Sequence, residues 1–199
     1  KAIDDTAFYP ARGKERIRSM IETRPDWCIS RQRVWGVPLP IFVSKKTNEP
    51  LRDPKVIENI AKIYEREGAD CWFDDDPQKF LGKKYKKEDY IKSTDICEVW
   101  FDSGSTHSFV LEKRKDLTWP ASMYLEGSDQ HRGWFHSSLL ESCGTRGRAP
   151  FNIILSHGFV VDGKGLKMSK STGNIIAPED ILKKYGADIL RAWVAASDY

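Results

Sequence analysis

Two short apolar runs, Ser122-Met123-Tyr124-Leu125 and Ile153-Ile154-Leu155, each stop at a polar turn that contains glycine, with a helix-period segment between them. The first run ends at Glu126-Gly127-Ser128-Asp129 and the second at Ser156-His157-Gly158. Gln130 to Cys143 reads as the helix, with Phe135, Leu139 and Cys143 on one face and Gly144 as its stop. A further helix is predicted to start at Ala177-Pro178-Glu179-Asp180 and end at Gly186, and a last one from Ala187 to Ala196. Strand, helix, strand, helix in this order predicts half of a parallel α/β sheet. Ligands of such sheets sit outside the carboxyl ends of the strands. With Ile96 to Phe101 read as another strand, that rule selects Trp100, the 126–130 turn and His157-Gly158.

A hairpin through Asp162-Gly163-Lys164-Gly165 then leads into Lys167-Met168-Ser169-Lys170-Ser171, followed by Thr172-Gly173-Asn174. Two lysines three apart put two mobile ammonium groups on one short loop, and the serines between them add donors. Such a loop suits a polyphosphate whose charge grows in a transition state and then departs. In the 126–130 turn, Gly127 permits close backbone approach, while Glu126, Asp129 and Gln130 offer groups for ribose hydroxyls and an amino acid. Asp129 fits a helix N-cap equally well.

The remaining chain is less specific. Lys14 to Thr23 has helical spacing at Ile17, Met20 and Ile21. Residues 24–38 are dense in tryptophan and arginine; Trp27 and Trp35 read as anchors, and Arg31 and Arg33 fit either structural duty or substrate contact. Residues 39–44 read as a strand, and Asp53-Pro54 opens a helix with Ile57, Ile60, Ala61 and Tyr64 as its stripe and Gly68 as its end. The Lys83-Lys84-Tyr85-Lys86-Lys87 run reads as a solvated face. Residues 44–93 are therefore expected to be a small α+β insertion.

Of the 199 residues, 40% are hydrophobic and 31% charged, as in an ordinary globular protein, and no apolar run nears the ~20 residues that span a bilayer. A net charge of +3 permits a nucleic-acid partner without requiring one. Cys28, Cys71, Cys97 and Cys143 stand far apart, with no Cys-x-x-Cys pair, so neither a zinc site nor a disulfide framework is expected, and a reduced cytoplasmic setting is.

The KMSKS loop resembles the second signature of the class I aminoacyl-tRNA synthetases. Ile29-Ser30-Arg31-Gln32-Arg33 with Trp35-Gly36 resembles the segment by which the isoleucyl, valyl and leucyl members of that family return to their catalytic fold, whereas Val99-Trp100-Phe101-Asp102-Ser103-Gly104-Ser105 and Leu125-Glu126-Gly127-Ser128-Asp129-Gln130-His131-Arg132-Gly133-Trp134-Phe135 are similar to the isoleucyl branch specifically. The resemblance covers roughly residues 24–43 and 96–199. It implies the second half of a Rossmann-like nucleotide-binding catalytic domain (94–199), a segment returning the chain to that domain (1–43), and the insertion (44–93). It also implies ATP with Mg2+, isoleucine and tRNA(Ile) as substrates, a monomeric parent enzyme and no membrane association. By the same resemblance, Lys167 and Lys170 act on the triphosphate, with Met168, Ser169 and Ser171 beside them. Glu126, Gly127, Asp129 and Gln130 would contact the aminoacyl-adenylate, the His157-Gly158-Phe159-Val160 backbone would face adenine, and Trp100 and Trp134 would line the isoleucine pocket. No His-x-Gly-His occurs in the sequence. The family's first signature and its editing domain are expected elsewhere in a longer polypeptide, and this chain alone is expected to be inactive.

Overall fold

The computed structural model describes residues 1–197. In chain order its strands and α-helices are β1 (Ala7–Tyr9), α1 (Arg12–Glu22), β2 (Ser30–Arg31), β3 (Phe42–Ser44), α2 (Pro54–Glu67), α3 (Cys71–Asp74), α4 (Pro77–Leu81), β4 (Tyr90–Lys92), β5 (Ile96–Cys97) and α5 (Val99–Gly104). There follow β6 (Ala121–Gly127), α6 (Trp134–Arg146), β7 (Phe151–His157), α7 (Pro178–Tyr185) and α8 (Ala187–Ala196). They form two compact units, one of residues 1–23 with 107–199 and one of residues 24–106.

The first unit holds a three-stranded parallel sheet in the order β1-β7-β6. Its parallel β6–β7 pair, joined through α6, is the arrangement the apolar runs predict. The sequence shows no strand pattern ahead of the Tyr9-Pro10-Ala11-Arg12-Gly13 turn, yet Ala7-Phe8-Tyr9 supplies the third strand, pairing with Ile153, Ile154 and Leu155. Three residues are too few for a period-2 pattern to show. Phe8, Ile17, Tyr124, Phe135, Leu139, Phe151 and Ile154 form the core between sheet and helices. Each such side chain contributes about 1.5–3 kcal/mol by leaving water.

The helix expected from Gln130 to Cys143 is divided. Ser128–Arg132 is a tight 3-10 turn, α6 starts only at Trp134, and it runs through Gly144 to Arg146. Gly147, at φ 74°, ends it in the left-handed region that glycine tolerates. The expected stop, Gly144, lies inside the helix instead.

In the second unit, β2 pairs with β5 and β3 with β4, both antiparallel. Trp72 is fully buried among Phe42, Val56, Ile60, Ile63, Phe80 and Leu81. Asp53 caps α2 as its sequence predicts, its carboxylate accepting from Lys55 N at 3.0 Å. The buried face of α2 is Val56, Ile60 and Ile63, whereas Ile57 is exposed. The stripe is thus rotated by about one residue from the expected Ile57–Ile60–Ala61–Tyr64 face. The strand expected over 96–101 ends at Cys97. Buried Glu98 turns the chain instead, its carboxylate accepting from Trp100 N at 3.1 Å to cap α5.

Candidate active site

The carboxyl ends of β6 and β7 are in register, Glu126 opposite Ser156 and Gly127 opposite His157. The sheet therefore delivers both predicted turns to one edge. Glu126 is exposed, and its Oε2 accepts from the Gly127 N–H at 2.9 Å. Gly127 is buried under the Asp129 carboxylate: a Cβ there would lie 2.6 Å from Asp129 Oδ1. Asp129 makes no cap bond to α6. Gln130 takes that duty, Oε1 accepting from Trp134 N at 2.9 Å. Asp129 is therefore not the cap of α6, and its carboxylate lies at the exposed end of the strand.

Trp134 lies flat on buried Tyr124, with ring centroids 4.0 Å apart and planes 6° from parallel. The stack fixes the indole as a rigid apolar plate at the start of α6. Burial pushes the Tyr124 phenol up to about 12, with the nearby Ser138 hydroxyl opposing that shift. Trp100 belongs to the second unit. It is 41% exposed in the first turn of α5, not at a strand end.

His157 ends β7, its Nδ1 bonded to Gly158 O at 2.7 Å, and Phe159 and Val160 continue as exposed backbone. From there the chain forms the expected hairpin, with Val161 bridged to Lys167 and Asp162 N–H donating to Leu166 O at 2.8 Å. Asp162 Oδ1 accepts from Lys164 N and Leu166 N at 2.9 and 3.0 Å. Its Oδ2 accepts from Asn174 Nδ2 at 2.9 Å, while Asn174 Oδ1 accepts from Ser169 N at 3.0 Å. Asp162 and Asn174 thus tie the two ends of the lysine loop together. Sequence reading named both without assigning either a role. Gly173, at φ 68°, closes the turn by donating to Ser169 O at 3.2 Å.

On this frame the two lysines differ. Lys167 Nζ sits 3.5 Å above the Phe159 ring centroid, whereas Lys170 has no ion pair or hydrogen bond from its ammonium among the described residues. Met168 N–H donates to Val160 O at 3.2 Å, and the Ser169 hydroxyl bonds those of Ser171 and Thr172. The loop is held by backbone groups, hydroxyls and the side chains of Asp162 and Asn174, with no ion pair to either ammonium among the described residues.

Elsewhere, Arg31 is occupied structurally, Nη1 donating to Cys28 O and Ser30 O at 2.7 Å. Among the described residues one trio, Glu67, Cys71 and Asp75, has metal-ligand spacing. Lys79 already bridges its two carboxylates.

A parallel sheet whose strand ends carry an acidic, glycine-bearing turn and a lysine hairpin defines a nucleotide-handling class. The family model for tRNA synthetases class I (I, L, M and V) matches residues 1–199, and the chain belongs to that family. Over its whole length it is 80% identical to the isoleucine–tRNA ligase of Pelagibacter ubique and 57% identical to that of Zymomonas mobilis. It spans 22% and 21% of those proteins' lengths, about a fifth of each. Among solved structures it is similar to methionyl-tRNA synthetase of Mycobacterium tuberculosis bound by methionyl-adenylate (TM-score 0.57, 20% identity, 97% of this chain and 29% of that one). It is also similar to the LeuRS–tRNA–LeuAMS complex of Agrobacterium radiobacter (TM-score 0.56, 20% identity, 89% and 26%). Both likenesses establish the fold. No helix among the described residues is long and apolar enough to cross a membrane.

Proposed function

We propose that this chain supplies the second half of the catalytic domain of an isoleucine-activating ligase. The isoleucine carboxylate attacks the α-phosphate of ATP, which enters as its magnesium complex. Pyrophosphate leaves, and the isoleucyl group of the adenylate then passes to a terminal ribose hydroxyl of tRNA(Ile), releasing AMP. The observation that carries this reading is the Lys170 ammonium, without an ion pair among the described residues, on a loop whose backbone is pinned by Asp162 and Asn174. An ammonium group on a short pinned loop suits the charge that develops on departing pyrophosphate. Lys167 adds a second cation, and Met168, Ser169 and Ser171 shape the loop around it.

Glu126, Gly127, Asp129 and Gln130 are assigned to the adenylate, with the bare backbone at Gly127 bringing the ligand close to the strand end. The 157–160 backbone is assigned to adenine, and Trp134 to the branched side chain. A rigid indole wall rewards apolar contact but distinguishes isoleucine from valine by only one methylene, worth roughly 10–200-fold in an apolar pocket. The pairing of β2 with β5 supports reading 44–93 as an insertion, because it brings the chain back together on either side of that segment.

The test is ATP–pyrophosphate exchange by the full-length protein carrying this chain, with isoleucine, valine and leucine, beside Lys170→Ala. Exchange strongest with isoleucine and reduced about 100-fold or more in the variant supports the assignment. Exchange strongest with another amino acid overturns the substrate, and wild-type exchange untouched by the substitution overturns the role of the loop. The 199-residue chain alone is expected to form no adenylate.

A further inference from the structure

The hairpin that carries the lysine loop sets one aromatic ring against one cation. Val161 and Lys167 are bridged in antiparallel register, flanked by the bonds from Asp162 N–H to Leu166 O at 2.8 Å and from Met168 N–H to Val160 O at 3.2 Å. Residues opposite one another in such a pair project their side chains to one face, and residues two apart on a strand share it. Phe159 therefore stands diagonally across from Lys167, within reach of a long side chain. The reading above uses the Phe159 backbone and gives its ring no task.

Lys167 Nζ is 3.5 Å from the Phe159 ring centroid, whereas the other lysine–ring contacts among the described residues, of Lys84 with Tyr85, Lys184 with Tyr185, and Lys92 with Trp72 and Phe80, fall between 4.9 and 5.6 Å. A lysine that merely covers a ring lays its methylene stem there and keeps its head in water. Here the head itself lies over the face, where the ring quadrupole attracts a cation. No carboxylate of the hairpin competes for it. Asp162 is the only acid from residue 157 to residue 174, and its oxygens are taken by Lys164 N, Leu166 N and Asn174 Nδ2. Phe159 and Lys167 are both exposed, so the pair forms at the surface, where a ligand can meet the ammonium.

We propose that Phe159 is a positioning residue: the face of its ring seats the Lys167 ammonium and so sets where that charge meets the phosphates of ATP. The proposal rests on the reading above for its nucleotide and deepens it, because one ring joins the segment assigned to adenine with the loop assigned to phosphate. A neutral π face suits this duty better than a carboxylate. It holds a cation in place without cancelling the charge that departing pyrophosphate must meet.

The experiment is a double-substitution cycle on the full-length protein in ATP–pyrophosphate exchange, with kcat/KM for ATP as the readout. Phe159→Leu keeps an apolar side chain but no π face and should lower kcat/KM about fivefold, whereas Phe159→Tyr should stay within about twofold of wild type. With Lys167→Ala already present, Phe159→Leu should cost less than about twofold further. Equal losses in both backgrounds, no loss at all, or a loss with tyrosine as large as that with leucine would each overturn the proposal, the first because the ring would then serve the nucleotide or the fold directly. A second measurement does not depend on turnover. After reductive methylation of the lysines with an isotope-labelled methyl group, which keeps their charge, the ring current should move the Lys167 methyl resonance upfield. That resonance is identified by its loss in Lys167→Arg, and Phe159→Leu should return it to the range of exposed lysines. A Lys167 resonance indifferent to the leucine substitution overturns the seat. A wild type without isoleucine-dependent exchange sinks the function proposed above, while the same resonance still decides whether the ring holds the ammonium.

Discussion

Gly127 and Asp129 occupy each other's space: a Cβ on the glycine would fall 2.6 Å from Oδ1 of the aspartate. The glycine backbone is in the ordinary extended region, at φ −60° and ψ 152°, so its need is for room and not for an unusual torsion. Alanine is conformationally tolerated there and acts only by displacing the carboxylate. Gly127→Ala should therefore lower kcat/KM for isoleucine activation by about 100-fold, the cost of misplacing a positioning group by about an ångström. Exchange kinetics and a thermal melt on the full-length protein check this. Unchanged kinetics would show that the carboxylate does not position the adenylate.

The lysine loop gives a pH-dependent prediction. The Asn174 side chain, then the Leu166 and Lys164 amides, hold the Asp162 carboxyl below the usual carboxylate range. A lowered folded pKa means the contribution is full above the unfolded value of about 3.9 and is lost as pH falls through the folded value. Hydrogen-exchange protection of the Lys164 and Leu166 amides should hold from about pH 7 to pH 5 and decline below about pH 4. Asn174→Ala removes the largest of these bonds, so the decline should begin at higher pH. It should also slow activation without shifting the melting temperature, because the loop is exposed and remote from the core.

Much of this was legible because it is periodic or compositional. The β6–α6–β7 order, the cap at Asp53, the 162–165 turn and the two lysines all follow from residue type and spacing. What escaped sequence reading depends on geometry that spacing does not encode. β1 is three residues long and exists only because β7 offers it an edge. Glu98 bends the chain into α5 because its carboxylate is buried against an amide. The α2 stripe is off by one residue because Val56 and Ile57 are equally apolar, and only the opposing Trp72 decides which is buried. Gln130 rather than Asp129 caps α6 because a 3-10 turn intervenes.

Trp72 is the structural centre of the second unit. It is fully buried, its Nε1 donates to Ser93 O at 2.8 Å, its ring meets Phe42 at 5.1 Å, and Lys92 Nζ lies 5.5 Å over it. Trp72→Ala removes this contact set and leaves a large void, at a cost of about 3–5 kcal/mol. The 24–106 unit should lose its cooperative unfolding transition in denaturant, whereas Ile57→Ala, on the exposed side of α2, should cost less than about 1 kcal/mol. Similar losses at both positions would refute the assigned face of α2.

The acid limb of that unit's stability should be set by Asp53. Its carboxylate bonds Lys84 Nζ at 2.8 Å and Tyr85 Oη at 2.8 Å as well as the Lys55 amide. The Lys84 bond is the foremost cause, followed by Tyr85, that lowers its pKa to about 2. The group therefore stabilises the folded state fully above about pH 3.9, and the contribution drains away as pH falls through about 2. Lys84→Met leaves the bonds from Tyr85 and Lys55 but removes the charged donor, so the Asp53 carboxyl should titrate closer to the ordinary range. A carboxyl-carbon NMR titration reads that shift directly. Tyr85→Phe should move it in the same direction by less, because a neutral hydroxyl favours the carboxylate less than an ammonium does. If the lysine substitution leaves the titration in place, the capping amide and the phenol hold the charge by themselves, and Lys84 belongs to the solvated face that the run from Lys83 to Lys87 suggests.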